Sequence, residues 1–176
     1  MSIYDNILKS KKEGKKIFAI LIDPDKQNNE ELLETVDIAN NSNVDYFFVG
    51  GSLLINNSLE QSILTIKSNS SIPLVLFPGN AMQVSENADA ILFLSLISGR
   101  NPEMLIGQQV ITAPLLKQTD LEVLSTGYML IDSGKPTTVS YMSNTTPIPY
   151  EKNYVAACTA MAGEMLGLKL IFMDGG

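Results

Sequence analysis

Apolar residues along this chain fall into short unbroken runs, separated by stretches where they recur every three or four positions. Six runs stand out: IFAILID (17–23), DYFFVGGS (45–52), PLVLFPGN (73–80), ADAILFLSLIS (88–98), GYMLID (127–132) and LKLIFMD (168–174). A continuous apolar run, as opposed to an alternating one, marks a strand buried on both faces, as in a parallel sheet. Helical spacing fills the intervals. Ile3, Ile7 and Leu8 share one side of residues 3–12, with lysines on the other and Gly14 as a stop. Asn28 or Asn29 caps a helix over EELLETVDIANNS, and a third covers 58–70. Asn101 starts another, with Pro102 at its first helical position. A small-residue helix spans 154–167 and stops at Gly167. Residues 133–153, rich in Thr, Ser and Pro, read as a long loop, and long loops in compact domains are often functional.

Strands alternating with helices predict an α/β fold with a parallel sheet. Neither the G-x-G-x-x-G fingerprint nor the G-x-x-x-x-G-K-[ST] phosphate loop occurs. The runs end instead in small or acidic residues: Asp23; Gly50, Gly51 and Ser52; Pro78, Gly79 and Asn80; Ser95 and Ser98; Asp174, Gly175 and Gly176. In a (β/α)₈ barrel such ends converge on the face that carries the active site. A barrel usually needs about 250 residues. The reading is therefore a TIM (β/α)₈ barrel, a single domain over residues 1–176, truncated after the sixth strand and incomplete at its C-terminus.

Composition narrows the chemistry. The 176 residues are 45% hydrophobic and 18% charged, with a formal net charge of −7. That acidic balance, with only KSKKEGKK (9–16) as a basic cluster, argues against nucleic acid as a partner. No apolar run reaches bilayer length and no leader-like stretch opens the chain, so the expected location is the cytoplasm without a transmembrane segment. The absence of histidine removes serine–histidine triads, histidine metal sites and histidine proton shuttles, and the lone Cys158 removes internal disulfides and cysteine zinc clusters.

What remains is carboxylate, hydroxyl and backbone chemistry. In LIDPDK (21–26), Asp23 closes a strand and Pro24 biases it to an extended conformation. A carboxylate there suits Mg²⁺, a hard cation that shares its oxygen ligands with phosphates. Asp25 reads as a cap of the following turn and Lys26 as a solvated cation. In VGGS (49–52), the glycines allow a ligand to approach closely, and Ser52 is a candidate second metal ligand. Arg100 is a possible pyrophosphate contact. Asp174 stands where a general base would act on a hydroxyl, and Gly175 and Gly176 begin a cradle of N–H groups for phosphate.

LIDPDK, VGGS, LFPGN, ISGRNP, TTPIP and AMAGEMLGLKLIFMDGG follow one another in an order and spacing that resembles the geranylgeranylglyceryl phosphate synthase family, which includes the bacterial heptaprenylglyceryl phosphate synthases. The resemblance covers essentially the whole chain and is closest to the longer subgroup. It implies a TIM-barrel prenyltransferase of lipid biosynthesis, joining the C3 hydroxyl of sn-glycerol 1-phosphate to C1 of a prenyl diphosphate, with geranylgeranyl diphosphate as donor and pyrophosphate as leaving group. It also implies Mg²⁺ at Asp23 and Ser52, glycerol 1-phosphate along Phe172, Met173, Asp174, Gly175 and Gly176, Asp174 as the activating acid, a prenyl trough along strands two to four, and a homo-oligomer of the complete protein. This chain has Phe172 where relatives often carry Tyr, and Asp174 where Glu is common. The alternatives are an inactive fragment of such a barrel and another phosphate-binding barrel enzyme, such as an isomerase.

Overall fold

The computed structural model describes residues 2–52 and 58–176. Its six strands are β1 (Ala19–Ile22), β2 (Tyr46–Val49), β3 (Leu74–Leu76), β4 (Ala90–Leu96), β5 (Glu122–Leu130) and β6 (Leu170–Asp174). They are hydrogen-bonded in the order β1-β2-β3-β4-β5-β6. The β1–β2, β2–β3, β3–β4 and β5–β6 pairs are all parallel. Strands that follow their own sequence order, joined by helices except between β3 and β4, where turns make the connection, have the topology of a (β/α) barrel; a doubly wound sheet reverses direction midway. The helices are α1 (Ile3–Lys12), α2 (Asn29–Asn40), α3 (Leu59–Asn69), α4 (Gln108–Leu116), α5 (Thr138–Ser143) and α6 (Asn153–Met165). Among the described residues, no helix is long and apolar enough to cross a membrane.

The chain divides into two compact units. The first holds residues 1–91 and 119–123. Its helices start where capping chemistry allows. Ser2 and Asp5 form a capping box on α1, and Asn28 with Glu31 does the same for α2. Gly14 follows α1 with φ +69°, a conformation that glycine adopts without strain. The core is Ile22, Phe47, Val49, Leu74 and Leu76 from the strands with Leu32, Val36, Ile63 and Ile66 from α2 and α3. Asp45 ties β1 to β2 at their N-terminal ends: it accepts the Phe18 N–H (2.9 Å) and pairs with Lys15 (2.8 Å). The first strand departs from expectation. Leu21 is 52% exposed, so β1 is not buried on both faces. Only the face carrying Ile22 meets the core, because successive side chains point to opposite sides.

The second unit holds residues 92–118 and 124–176. Asn101 Oδ1 accepts the Glu103 N–H, and the helix opened by Pro102 runs through a π-helical turn, Glu103–Gly107, before settling into α4. The π turn is anchored by Ser95 Oγ donating to the Leu105 carbonyl (2.7 Å). Helix α6 lies close to its strands through Gly163: a Cβ there would sit 2.9 Å from Ile97 Cδ1 and Ile171 Cδ1. Gly167, with φ +85°, follows the helix as expected. The stretch 133–153 is not structureless. Thr137 and Ser140 make a capping box that starts α5, and Ile131 bridges Ile148 beside β5. Its signature, with Ser in place of Glu or Gln at the third position, is weaker than the usual pattern.

Candidate functional site

In the first unit, three strand ends meet with almost no side chain between them. Asp23 follows β1. Its Oδ1 accepts the Asp25 N–H (3.2 Å), its Oδ2 pairs with Lys26 Nζ (3.1 Å), and its carbonyl accepts the Lys26 N–H (3.1 Å). Lys26 is therefore not merely solvated. Asp25, expected to cap the following turn, has a carboxylate that accepts the Ser58 hydroxyl (2.8 Å), 33 residues away at the entry to α3.

The glycines after β2 and β3 make the close approach possible. A Cβ on Gly51 would lie 3.1–3.2 Å from the Asp23 carboxylate atoms. A Cβ on Gly50 would lie 2.0 Å from the Phe77 carbonyl oxygen, and one on Gly79 would lie 2.2 Å from the Gly51 carbonyl oxygen and 2.8 Å from Ser52 Cα. Glycine is the residue that leaves this room. Gln83, which sequence reasoning missed, links the two loops: its Nε2 donates to the Gly51 carbonyl (3.1 Å) and its Oε1 accepts the Gly79 N–H (3.0 Å). Nothing in AMQVSENADA distinguishes this residue from ordinary polar loop. Of the trough expected along strands two to four, Phe48 and Phe77 are half-buried, with ring centroids 6.1 Å apart.

Among the described residues, no group of three or more Asp, Glu, His or Cys side chains is placed to hold an ion. A cage made only of protein carboxylates is thus absent there. One carboxylate beside an unobstructed glycine backbone, with a serine next in sequence, is a hard-oxygen donor set. It fits Mg²⁺ of the kind that keeps few protein ligands and completes its shell with water and phosphate oxygen.

In the second unit, β5 and β6 pair with Tyr128 opposite Phe172 and Leu130 opposite Asp174. Because side chains alternate, Phe172 and Asp174 share one face of β6 and Met173 takes the other, where it is 62% exposed. Met173 can therefore offer a ligand on the Asp174 face only its backbone. The Tyr128 ring stacks on Phe172 (centroids 5.7 Å apart, planes 8° apart), and its hydroxyl donates to Asp174 Oδ2. Burial first, then this hydrogen bond and the Asp174 charge, push the Tyr128 hydroxyl far above the usual tyrosine range. Tyr128 lay hidden in an apolar run that read as core.

Asp174 Oδ1 accepts the Gly176 N–H (2.9 Å). That N–H is turned back onto the carboxylate, so it adds no outward donor to the expected phosphate cradle. Gly176 has φ +91°, and a Cβ on it would lie 2.3 Å from Ser133 Oγ. Arg100 is exposed and its Nη1 donates to the neighbouring Gly99 carbonyl (2.8 Å). Ser98 Oγ accepts the Leu130 N–H (2.9 Å), tying the end of β4 to that of β5.

The PcrB family matches residues 7–175. A geranylgeranylglyceryl phosphate synthase of Chitinophaga pinensis is 56% identical over 174 residues, which are 99% of this chain and 69% of that protein. The crystal structure of (S)-3-O-geranylgeranylglyceryl phosphate synthase from Thermoplasma acidophilum, in complex with its substrate sn-glycerol-1-phosphate, superimposes with a TM-score of 0.92 at 28% identity, over 99% of this chain and 70% of that one. The tryptophan synthase α subunit of Legionella pneumophila, at 13% identity and a TM-score of 0.52 over 100% of this chain and 79% of its own, shares the fold alone.

Proposed function

This chain belongs to the PcrB family, and from that premise we propose that it carries the machinery of a prenyltransferase that joins sn-glycerol 1-phosphate to a prenyl diphosphate, with geranylgeranyl diphosphate as the donor. The C3 hydroxyl oxygen bonds to C1 of the prenyl group. The C1–oxygen bond to the diphosphate breaks, its electron pair leaves with pyrophosphate, and the hydroxyl proton passes to a base.

The single observation that supports the reading most is the Asp23 carboxylate held against the side-chain-free backbone of Gly51. Asp23 and Ser52 would hold Mg²⁺ there. When bound, the cation supplies positive charge against the developing charge of a diphosphate leaving group. Lys26, already paired with Asp23, adds a second positive charge to the same strand end.

Asp174 takes the hydroxyl proton. Its Oδ2 is aimed by Tyr128, which stays protonated as a donor throughout the physiological range. Phe172 is the platform on which Tyr128 rests. The bonds from Tyr128 and Gly176 engage both carboxylate oxygens and fix the orientation in which Asp174 meets the acceptor. The Gly175 backbone contributes to glycerol phosphate binding, and Gly176 closes the turn by its N–H bond to Asp174.

The test is product analysis. Labelled sn-glycerol 1-phosphate and geranylgeranyl diphosphate are incubated with the protein and Mg²⁺, and the organic phase is searched for a phosphorylated ether lipid. Its formation, lost in Asp23→Ala and Asp174→Asn, supports the reading. Absence of product from a folded protein that binds both substrates overturns it.

A further inference from the structure

The ends of β2 and β3 carry two glycine segments, 50–51 and 79, packed backbone to backbone. Such packing is close but offers little to hold it: glycines contribute no side-chain contacts and lose more conformational entropy on ordering than any other residue. Something must keep the Gly51 carbonyl from turning, and one side chain meets that carbonyl and the Gly79 N–H together. Gln83 is 4% exposed, and both halves of its amide are used, Nε2 on Gly51 and Oε1 on Gly79. The Met82 N–H is bonded to Asn80 Oδ1 (2.8 Å) and the Gln83 N–H to the Asn80 carbonyl (3.2 Å), so the turn that presents Gln83 is itself braced.

The consequence reaches the metal side through the peptide plane. Among the described residues no peptide bond is cis. A trans peptide points its C=O and N–H in opposite directions. Holding the Gly51 carbonyl on Gln83 therefore turns the Ser52 N–H away from Gln83 and fixes the orientation of the residue that follows Gly51. The Gly51 Cα that begins this peptide faces the Asp23 carboxylate, because Gly51 is the residue whose missing Cβ leaves room for it. We propose that Gln83 is a positioning residue for the metal and diphosphate half of the site. It clamps the Gly51 and Gly79 backbones so that the Ser52 segment is presented, preorganised, beside Asp23. The inference rests on the reading of Asp23 and Ser52 as the metal side, and it assigns Gln83 no contact with substrate.

The experiment measures binding of inorganic pyrophosphate in the presence of Mg²⁺ by calorimetry, on wild type, Asp23→Asn, Gln83→Leu and Gln83→Asn. Leucine keeps most of the volume and loses both hydrogen bonds; asparagine keeps the amide but is one methylene too short to span both backbones. Each variant is also followed by thermal melting and by amide hydrogen exchange at Gly79. The clamp predicts that both Gln83 variants lose protection at Gly79 and bind Mg²⁺–pyrophosphate about tenfold or more weakly, the scale expected from two lost hydrogen bonds. Affinity for sn-glycerol 1-phosphate stays within about twofold, a spread far below that tenfold step. If wild type binds, Asp23→Asn does not, and folded Gln83→Asn binds like wild type, the clamp is wrong while the metal reading stands. A loss in Gln83→Leu that folded Gln83→Asn does not share is scaffold damage and overturns it equally. If wild type shows no Mg²⁺-dependent binding, or Asp23→Asn binds as well, the metal reading itself is overturned.

Discussion

The Tyr128 hydroxyl donates to Asp174 Oδ2 across the β5–β6 pair, 46 residues apart in sequence and one diagonal step apart in register. Tyr128 thereby holds a proton that it does not lose readily, on a carboxylate that it keeps aimed. The folded state binds this proton more tightly than the unfolded chain, whose tyrosines ionise near about 10. The associated stability is fully present below that value and declines as pH rises above it, because only the unfolded chain then gains by ionising. Tyr46, raised chiefly by burial, contributes in the same direction. Tyr128→Phe should keep the stack on Phe172 and flatten the alkaline limb of a plot of Tm against pH. An alkaline limb identical to wild type would mean that Tyr128 titrates normally.

Asp174→Asn should lower turnover far more than prenyl diphosphate affinity, since the proposed role is toward the acceptor hydroxyl. A positioned base contributes about 10²–10⁴-fold. Single-turnover rates with saturating donor give the comparison, and a drop below about tenfold would make Asp174 structural.

Asp23→Ala should abolish the Mg²⁺-dependent part of prenyl diphosphate binding. It also removes the partner of Lys26 and of the Asp25 N–H, so the turn after β1 loosens. Calorimetry with and without Mg²⁺ reports the difference, and an unchanged Mg²⁺ increment would take Asp23 out of the site.

Gly79→Ala places a methyl group against the Gly51 carbonyl and the Ser52 backbone. These neighbours are main chain and cannot swing aside. Overpacking of this kind costs about 1–3 kcal/mol, and each kcal/mol lowers Tm by about 2–4 °C in a chain of this size. The affinity for Mg²⁺–pyrophosphate should fall with it. A variant that melts and binds as wild type would show that the two loops part without cost.

The amino-acid sequence by itself determined the features that depend on near neighbours. The apolar runs marked the six strands of the described residues, Asn28 and Gly167 marked helix ends, and Asp23, Gly50–Gly51–Ser52 and Asp174 were read at strand ends, where the structure has them. These are legible because a strand end or a cap is decided within about four residues of the position itself. Tertiary structure decided the rest. Whether the face of β1 that bears Leu21 is covered depends on what packs there, and a run of apolar letters carries no such information. Gln83 and Tyr128 acquire their partners only once strands far apart in sequence lie side by side, 32 residues away for one and 46 for the other. Those hydrogen bonds follow from register, and register is set by the parallel ladder between strands, which no single segment encodes.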